Sequence, residues 1–345
     1  MRTSPRAFSL CGAFAALACV LQPGFAAEKA APADGALRES RNLQPNDTAE
    51  RLELMTHEIY GQRVDTTWLL FAQLYGPQVR AERVLFPANT ADKEAIPGYL
   101  FTPAAGVPAG KKLPGLLLIH GSFHASFEPR WFKLVNLAVA QGYAVMFPEY
   151  RGSSGYGPTI YTGDYGTTDV ADCLAAADYL ATLDYVDPKR TGVIGHSRGG
   201  MVTVRLIERH PQRFQAAVEI CGLMDFVAYM AYKPESRRQA IAKDKGFGGK
   251  QPDQNFAPYV EASPINFVPD IQTPLYAFGV QRDTLVPHKL NTGRLIELLK
   301  AHGKTFESHV YDNPTGNHSF LFADSPETRD CFKRSFEFLA KYLKP

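Results

Sequence analysis

Downstream of residue 78 the chain alternates between short apolar runs and longer stretches whose apolar positions recur every three or four residues. The runs "VRAERVLFPAN" and "IPGYLFTPA" read as an antiparallel pair of strands. "LPGLLLIHG" is continuously apolar, as expected of a strand buried on both faces of a parallel sheet. "WFKLVNLAVAQG" then has helical spacing, stopped by Gly142, and is followed by the strand "YAVMFPEYRG". The rhythm continues through the helix "DVADCLAAADYLATL", the strand "RTGVIGHS", the helix "GGMVTVRLIERH" and the strand "FQAAVEICG". It closes with the strand "TPLYAFGV", the helix "LNTGRLIELLKAHG", the strand "TFESHVYD" and the helix "ETRDCFKRSFEFLAKYL". The pattern predicts an α/β fold: an eight-stranded, mostly parallel sheet with helices on both faces.

Two regions depart from this rhythm. Between Gly222 and Pro274 lie about fifty residues without a strand, long enough to carry elements of their own. Residues 223–262 of this insertion are expected to form a small helical cap over the strand ends. Upstream, "DTAERLELMTHEIYG" predicts a helix capped by Asp47 or Thr48 and stopped by Gly61, and "TTWLLFAQLYG" is apolar. Residues 27–78 are therefore expected to be a flexible, then helical, N-terminal segment before a catalytic domain over 79–345.

Composition excludes a disordered or fibrous chain, since 45% of the 345 residues are apolar and 21% charged. The opening "MRTSPRAFSLCGAFAALACVLQPGFAAEKA" changes the picture more. Arg2 and Arg6 precede an apolar core ending in small residues, the form of an export signal over residues 1–26. The mature chain is then expected to be periplasmic or secreted, with lipid anchoring at Cys19 the minor alternative. Loss of Arg2 and Arg6 brings 37 basic residues to 35, equal to the 35 acidic ones, so nothing points to nucleic acid. No later segment is long and apolar enough to span a membrane. Cys173, Cys221 and Cys331 are too widely spaced for a disulfide framework or a zinc site and read as buried packing residues. No metal or organic cofactor is implied.

The chemistry concentrates in "VIGHSRGGMV", residues 193–202. Gly195-His196-Ser197-Arg198-Gly199 fits G-x-S-x-G, and it lies between an expected strand and an expected helix. A tight turn there lifts a serine hydroxyl clear of the sheet beside backbone N–H groups at a helix N-terminus, and the glycines make room for it. A serine nucleophile needs a base and an orienting carboxylate, here expected after later strands in the order Ser, acid, His. Asp283 follows the seventh strand in "GVQRDTLVP", and His318 follows the eighth in "VYDNPTGNHSF". Asp225 also follows a strand end and is the competing acid; Asp312 lies too near a strand body. His309 falls within a strand, His120 and His124 on the oxyanion side, and His196 in the turn itself. The oxyanion donors are expected to be the N–H of Arg198 and that of Ser122 or Gly121, with side-chain donors from His120 or Ser122 left open. Phe123, Phe127 and Trp131, with Tyr229 and Tyr232 of the cap, read equally as an apolar substrate pocket or as core. Phe123, Tyr229 and Tyr232 are the substrate-binding candidates. Arg151 and Tyr156 either face the site or brace their loop.

The segments "PEYRGSSGYG", "YVDPKRTGVIGHSRGGMV", "SPINFVPDIQTPLYAFGVQRDTLVP" and "GNHSF" together resemble the catalytic domain of the prolyl oligopeptidase family, within the α/β-hydrolase superfamily. The resemblance covers roughly residues 80–345 and implies Ser197, Asp283 and His318 as a catalytic triad. Two departures stand out. The large N-terminal β-propeller usual in the family does not fit in the residues before the first strand. The loop His120-Gly121-Ser122-Phe123 also replaces the family's frequent H-G-G-P. The expectation is an exported serine hydrolase forming an acyl-enzyme on small peptides or amides; the alternative is a carboxylesterase acting on small or aromatic esters, and a third is a binding protein that has kept the fold and lost turnover.

Overall fold

In the computed structural model residues 48–344 are described; the expected signal over residues 1–26, with Cys11 and Cys19, and the segment to Asp47 lie outside the described residues. The unit spanning Leu52–Pro345 holds the sheet and its helices. The eight strands are β1 (Val79–Pro87), β2 (Ala95–Pro103), β3 (Leu113–Ile119), β4 (Ala144–Pro148), β5 (Val186–His196), β6 (Ala216–Ile220), β7 (Leu275–Val280) and β8 (Phe306–Tyr311). They lie in one sheet in the order β1-β2-β4-β3-β5-β6-β7-β8. β2 is antiparallel to both β1 and β4, and every other pairing is parallel.

The continuous apolar runs are explained by two cores, one on each face. Along β3, Leu117 and Ile119 enter one core while Leu116 and Leu118 enter the other, all fully buried. β4 repeats this alternation with Ala144 and Met146 against Val145 and Phe147. The first core is closed by helices Thr168–Thr182 and Arg198–Arg209, the second by helices Phe132–Ala140 and Pro326–Leu343. Because β3 sits between β4 and β5, the chain leaves β3 toward one edge and later builds toward the other. A crevice opens at the C-terminal ends of β3 and β5, the usual ligand position in open α/β sheets.

The N-terminal helix corrects the sequence reading. Gly61 does not stop it: one helix, α1, runs from Thr48 to Tyr75. A glycine inside a helix costs about 1 kcal/mol, and the packing of the helix outweighs that. Phe71 is fully buried, with its ring 5.0 Å from Phe101, 5.0 Å from Phe132 and 5.6 Å from Phe127. Burying one such ring stabilises by about 1.5–3 kcal/mol. The helix also meets the loop after β4: a Cβ on Gly155 would lie 2.4 Å from Val64 Cγ2, and Gly155 has φ +96°.

The insertion between β6 and β7 folds into three short helices, Phe226–Tyr232, Glu235–Ala242 and Ala257–Glu261. Cys173, Cys221 and Cys331 are free and buried. Among the described residues no helix is long and apolar enough to cross a membrane.

Candidate active site

β5 ends at His196 and the helix Arg198–Arg209 begins two residues later, so Ser197 alone makes the turn. Its backbone has φ 59° and ψ −119°, a conformation costing about 1–3 kcal/mol for a residue with a Cβ. The surroundings fix it there. Ser197 N–H donates to Ile220 O at 2.9 Å, and Ser197 O accepts from Met201 N at 3.1 Å. The neighbouring glycines are required by contact: a Cβ on Gly195 would lie 2.0 Å from Gly199 O, and one on Gly199 would lie 2.1 Å from Ile119 O.

The loop after β3 is pressed against this turn. A Cβ on Gly121 would meet His196 O at 2.6 Å and Ser197 Cβ at 2.8 Å, and Ser122 itself has φ 71°. The Arg198 side chain leaves the cavity and runs beneath the loop. Its guanidinium donates to Phe123 O at 3.0 Å and to Asp169 Oδ2 at 3.0 and 3.2 Å, with its carbon 3.8 Å from the centre of the Tyr165 ring. Arg198 thus ties the turn to the loop through its side chain while its backbone N–H stays at the first position of the helix.

The loops after β7 and β8 bring in the two partners. His318 Nε2 lies 2.9 Å from Ser197 Oγ, and His318 Nδ1 lies 2.7 Å from Asp283 Oδ2. Asp283 is held by its other oxygen, which accepts from the N–H groups of Leu285 and Val286, each at 2.8 Å. Asn317 joins the two loops: its Oδ1 accepts from Thr284 N at 3.0 Å and its Nδ2 donates to Arg282 O at 2.8 Å. His196 donates Nε2–H to His318 O at 2.9 Å. Burial, with His318 beside it, lowers the pKa of His196 to about 3, so the ring is neutral in this role.

The competing residues are engaged elsewhere. Asp225 caps the first cap helix, accepting from Ala228 N at 2.9 Å, and Asp312 pairs with Arg282 at 3.2 Å. His309 packs on Tyr311 within β8, and His124 stacks on Tyr161. His120 is buried, donates Nδ1–H to Gly121 O at 3.0 Å and stacks on Tyr150. Its ring is absent from the cavity wall, as is the Arg151 side chain. Arg151 instead braces its loop, donating to Asp172, Asp92 and Thr90, while Tyr156 shares a hydroxyl contact with Tyr99 at 2.7 Å.

A cavity of about 390 Å³ opens over the Ser197 hydroxyl. Gly121, Ser122, Phe123, His318 and Tyr229 line it, with Trp131, Val286 and Phe322. Tyr232 does not. It is half exposed at the end of its cap helix and donates its hydroxyl to Thr284 O at 2.8 Å. Phe127 is likewise core, packed among Phe71, Phe101 and Phe132.

Cys221 stands next to this group, with φ 50°, and its sulfur lies within 4.8 Å of the ligand atoms of Asp283 and His318. Burial, then the Asp283 charge, push its thiol pKa well up, so it is an uncharged packing group. The two other atoms of this trio are spent on each other. Beneath the turn, Glu219 is fully buried and accepts from Gly222 N at 2.8 Å. Burial raises its pKa to about 8, against an ordinary 4.5. The folded state therefore holds a proton that the unfolded chain releases above pH 4.5, and stability declines as pH climbs from 4.5 through 8. Glu219→Gln is expected to melt close to wild type at pH 5 and several degrees higher at pH 8.5, as read by calorimetry at the two pH values. Equal melting at pH 8.5 would show that the carboxyl is not held protonated.

Sequence reading missed Asn317 as the tie between loops, and missed the Arg198 side chain as the tie to the loop after β3. Their signal is only adjacency to His318 and Ser197. It also missed Lys233 and Arg237, which line the cavity from the cap.

The comparisons with known proteins agree with this architecture. Residues 129–345 match the model of the prolyl oligopeptidase family. Over 243 residues the chain is 28% identical to the acylamino-acid-releasing enzyme of Arabidopsis thaliana, a match covering 68% of this chain and 31% of that one. Over 250 residues it is 29% identical to the uncharacterized peptidase YuxL of Bacillus subtilis, covering 70% and 36%. The chain thus spans about a third of the length of these curated relatives. The Pyrococcus horikoshii acylaminoacyl peptidase shares its fold, with a TM-score of 0.67 at 21% identity over 81% of this chain and 44% of that one.

Proposed function

The chain belongs to the prolyl oligopeptidase family and is a serine hydrolase, and we propose that it cleaves small N-blocked peptides or amides through an acyl-enzyme on Ser197. The observation that carries this reading is the hydrogen-bonded line from Ser197 through His318 to Asp283, opening on the cavity. His318 takes the hydroxyl proton as Ser197 Oγ attacks the carbonyl carbon. Asp283 holds the imidazole with its proton on Nδ1 and balances the charge that forms. The N–H groups of Arg198 and Ser122 or Gly121 receive the negative oxygen. His318 then protonates the leaving amine, and water releases the acyl group by the same steps in reverse.

The N-blocked form is favoured because among the described residues no Asp or Glu side chain lines the cavity to hold a free amine, and it fits the name of the Arabidopsis relative. The same reading places the mature protein outside the cytoplasm, carried there by the signal over residues 1–26. Phe123, Tyr229, Val286 and Phe322 give the cavity a substantial apolar wall, which supports carboxylesterase activity as the second reading.

Turnover of three substrate sets by the purified protein separates these readings: p-nitrophenyl esters, N-acetyl-aminoacyl anilides and free aminoacyl anilides. The expected result is measurable kcat/KM on the acetylated anilides and at least tenfold less on the free-amine set, since an unpaired ammonium at a cationic wall is unfavourable. Ester cleavage with inert anilides of both kinds would replace the peptidase reading by the esterase one.

A further inference from the structure

The charge of the cavity wall bears on which substrates fit. Arg130, Lys233 and Arg237 line the cavity, and among the described residues no carboxylate does. Arg130 is turned to Glu128, its Nε 2.8 Å from a carboxylate that it shares with Arg63. Lys233 and Arg237 differ: among the described residues neither forms an ion pair. Both are fixed in place. Lys233 donates one N–H to Leu285 O at 2.7 Å and sits 4.5 Å over the Tyr229 ring, leaving two N–H groups. The Arg237 guanidinium carbon lies 4.3 Å from the centre of the Phe123 ring and the group hydrogen-bonds the Tyr229 side chain, which leaves others of its five N–H donors for a planar anion. Partial burial, then the neighbouring Arg237 charge, pull the Lys233 pKa below the ordinary lysine value, while the Asp283 charge pushes it the other way.

We propose that Lys233 and Arg237 bind a carboxylate of the substrate, so that the enzyme prefers acyl compounds or peptides carrying a free carboxylate. This rests on Ser197 being the nucleophile of the same cavity. The carboxylate belongs either to the acyl half or, as a peptide C-terminus, to the leaving half, and the two are separable by substrate choice.

The test uses matched pairs. N-succinyl-alanyl p-nitroanilide against N-acetyl-alanyl p-nitroanilide varies the charge of the acyl half. N-acetyl-alanyl-alanine against its carboxamide varies that of the leaving half. One pair is expected to favour its anionic member by about ten- to a hundredfold in kcat/KM at low salt, as for a charge-assisted hydrogen-bonded pair, with the preference shrinking as salt is raised. In Lys233→Met/Arg237→Met that ratio should fall to near unity, mainly through KM for the anion, whereas Lys233→Arg should keep it. Equal handling of both pairs by wild type overturns the proposal, as does an unchanged ratio in the double variant. Fluorophosphonate labelling in parallel tells the two failures apart. Labelled protein without anionic preference defeats this inference alone, and absence of both labelling and turnover defeats the nucleophile reading and this inference with it.

Discussion

Ser197→Ala is expected to lower kcat/KM by on the order of 10⁴- to 10⁶-fold and to abolish covalent labelling by a fluorophosphonate probe. The size follows from the geometry. Among the described residues Ser197 is the one that presents a hydroxyl to His318 Nε2, at 2.9 Å, and without it the cavity retains binding and oxyanion donors but no attacking atom. Alanine keeps the Cβ and so faces the same backbone strain at φ 59°, leaving the turn in place. Circular dichroism and melting close to wild type would certify that only chemistry was lost. Labelling that survives would move the nucleophile to another hydroxyl in the cavity wall, Ser122 or Ser319.

The second large effect is expected for Asp283→Asn, a loss of about 10⁴-fold in kcat. Asp283 Oδ1 accepts from two backbone N–H groups, at 2.8 Å each. Asparagine must keep its carbonyl oxygen there, which turns its NH₂ toward His318 Nδ1. The ring then carries its proton on Nε2, facing Ser197, and cannot take another. The loss should appear in kcat with KM little changed, in a protein that binds a substrate analogue normally. Near-normal kcat would transfer the carboxylate role to Asp225, although that side chain is occupied as a helix cap.

The central strands β3, β4, β6 and β7 were legible because they are buried on both faces, and two-sided burial leaves an uninterrupted apolar run. The G-x-S-x-G turn could be placed for the same reason, and Asp283 stands out as a polar residue just past such a run, whereas His318 was placed by chain order in the loop beyond the half-exposed β8. The length of α1 was not legible. Gly61 carries a stop signal locally, and the aromatic packing at Phe71 that overrides it comes from strands and loops far along the chain. Tyr232 lies outside the cavity wall that Tyr229 joins, since it stands at the end of the short cap helix, where spacing alone does not fix what a side chain meets. Lys233 and Arg237 were invisible as site residues because charges on a polar insertion read as solvated. Only the fold brings them into the same cavity wall as Ser197, a wall that among the described residues holds no Asp or Glu.

The way α1 is seated bears on how the protein is shortened for laboratory work. Starting expression at Val79, where the sheet begins, would strip the cover from Phe101, Phe127 and Phe132 and free the Gly155 bend that Tyr60 and Val64 close off. The product would carry a sticky aromatic face a short way from its reactive centre. Trimming that stops before Thr48 keeps that face sealed.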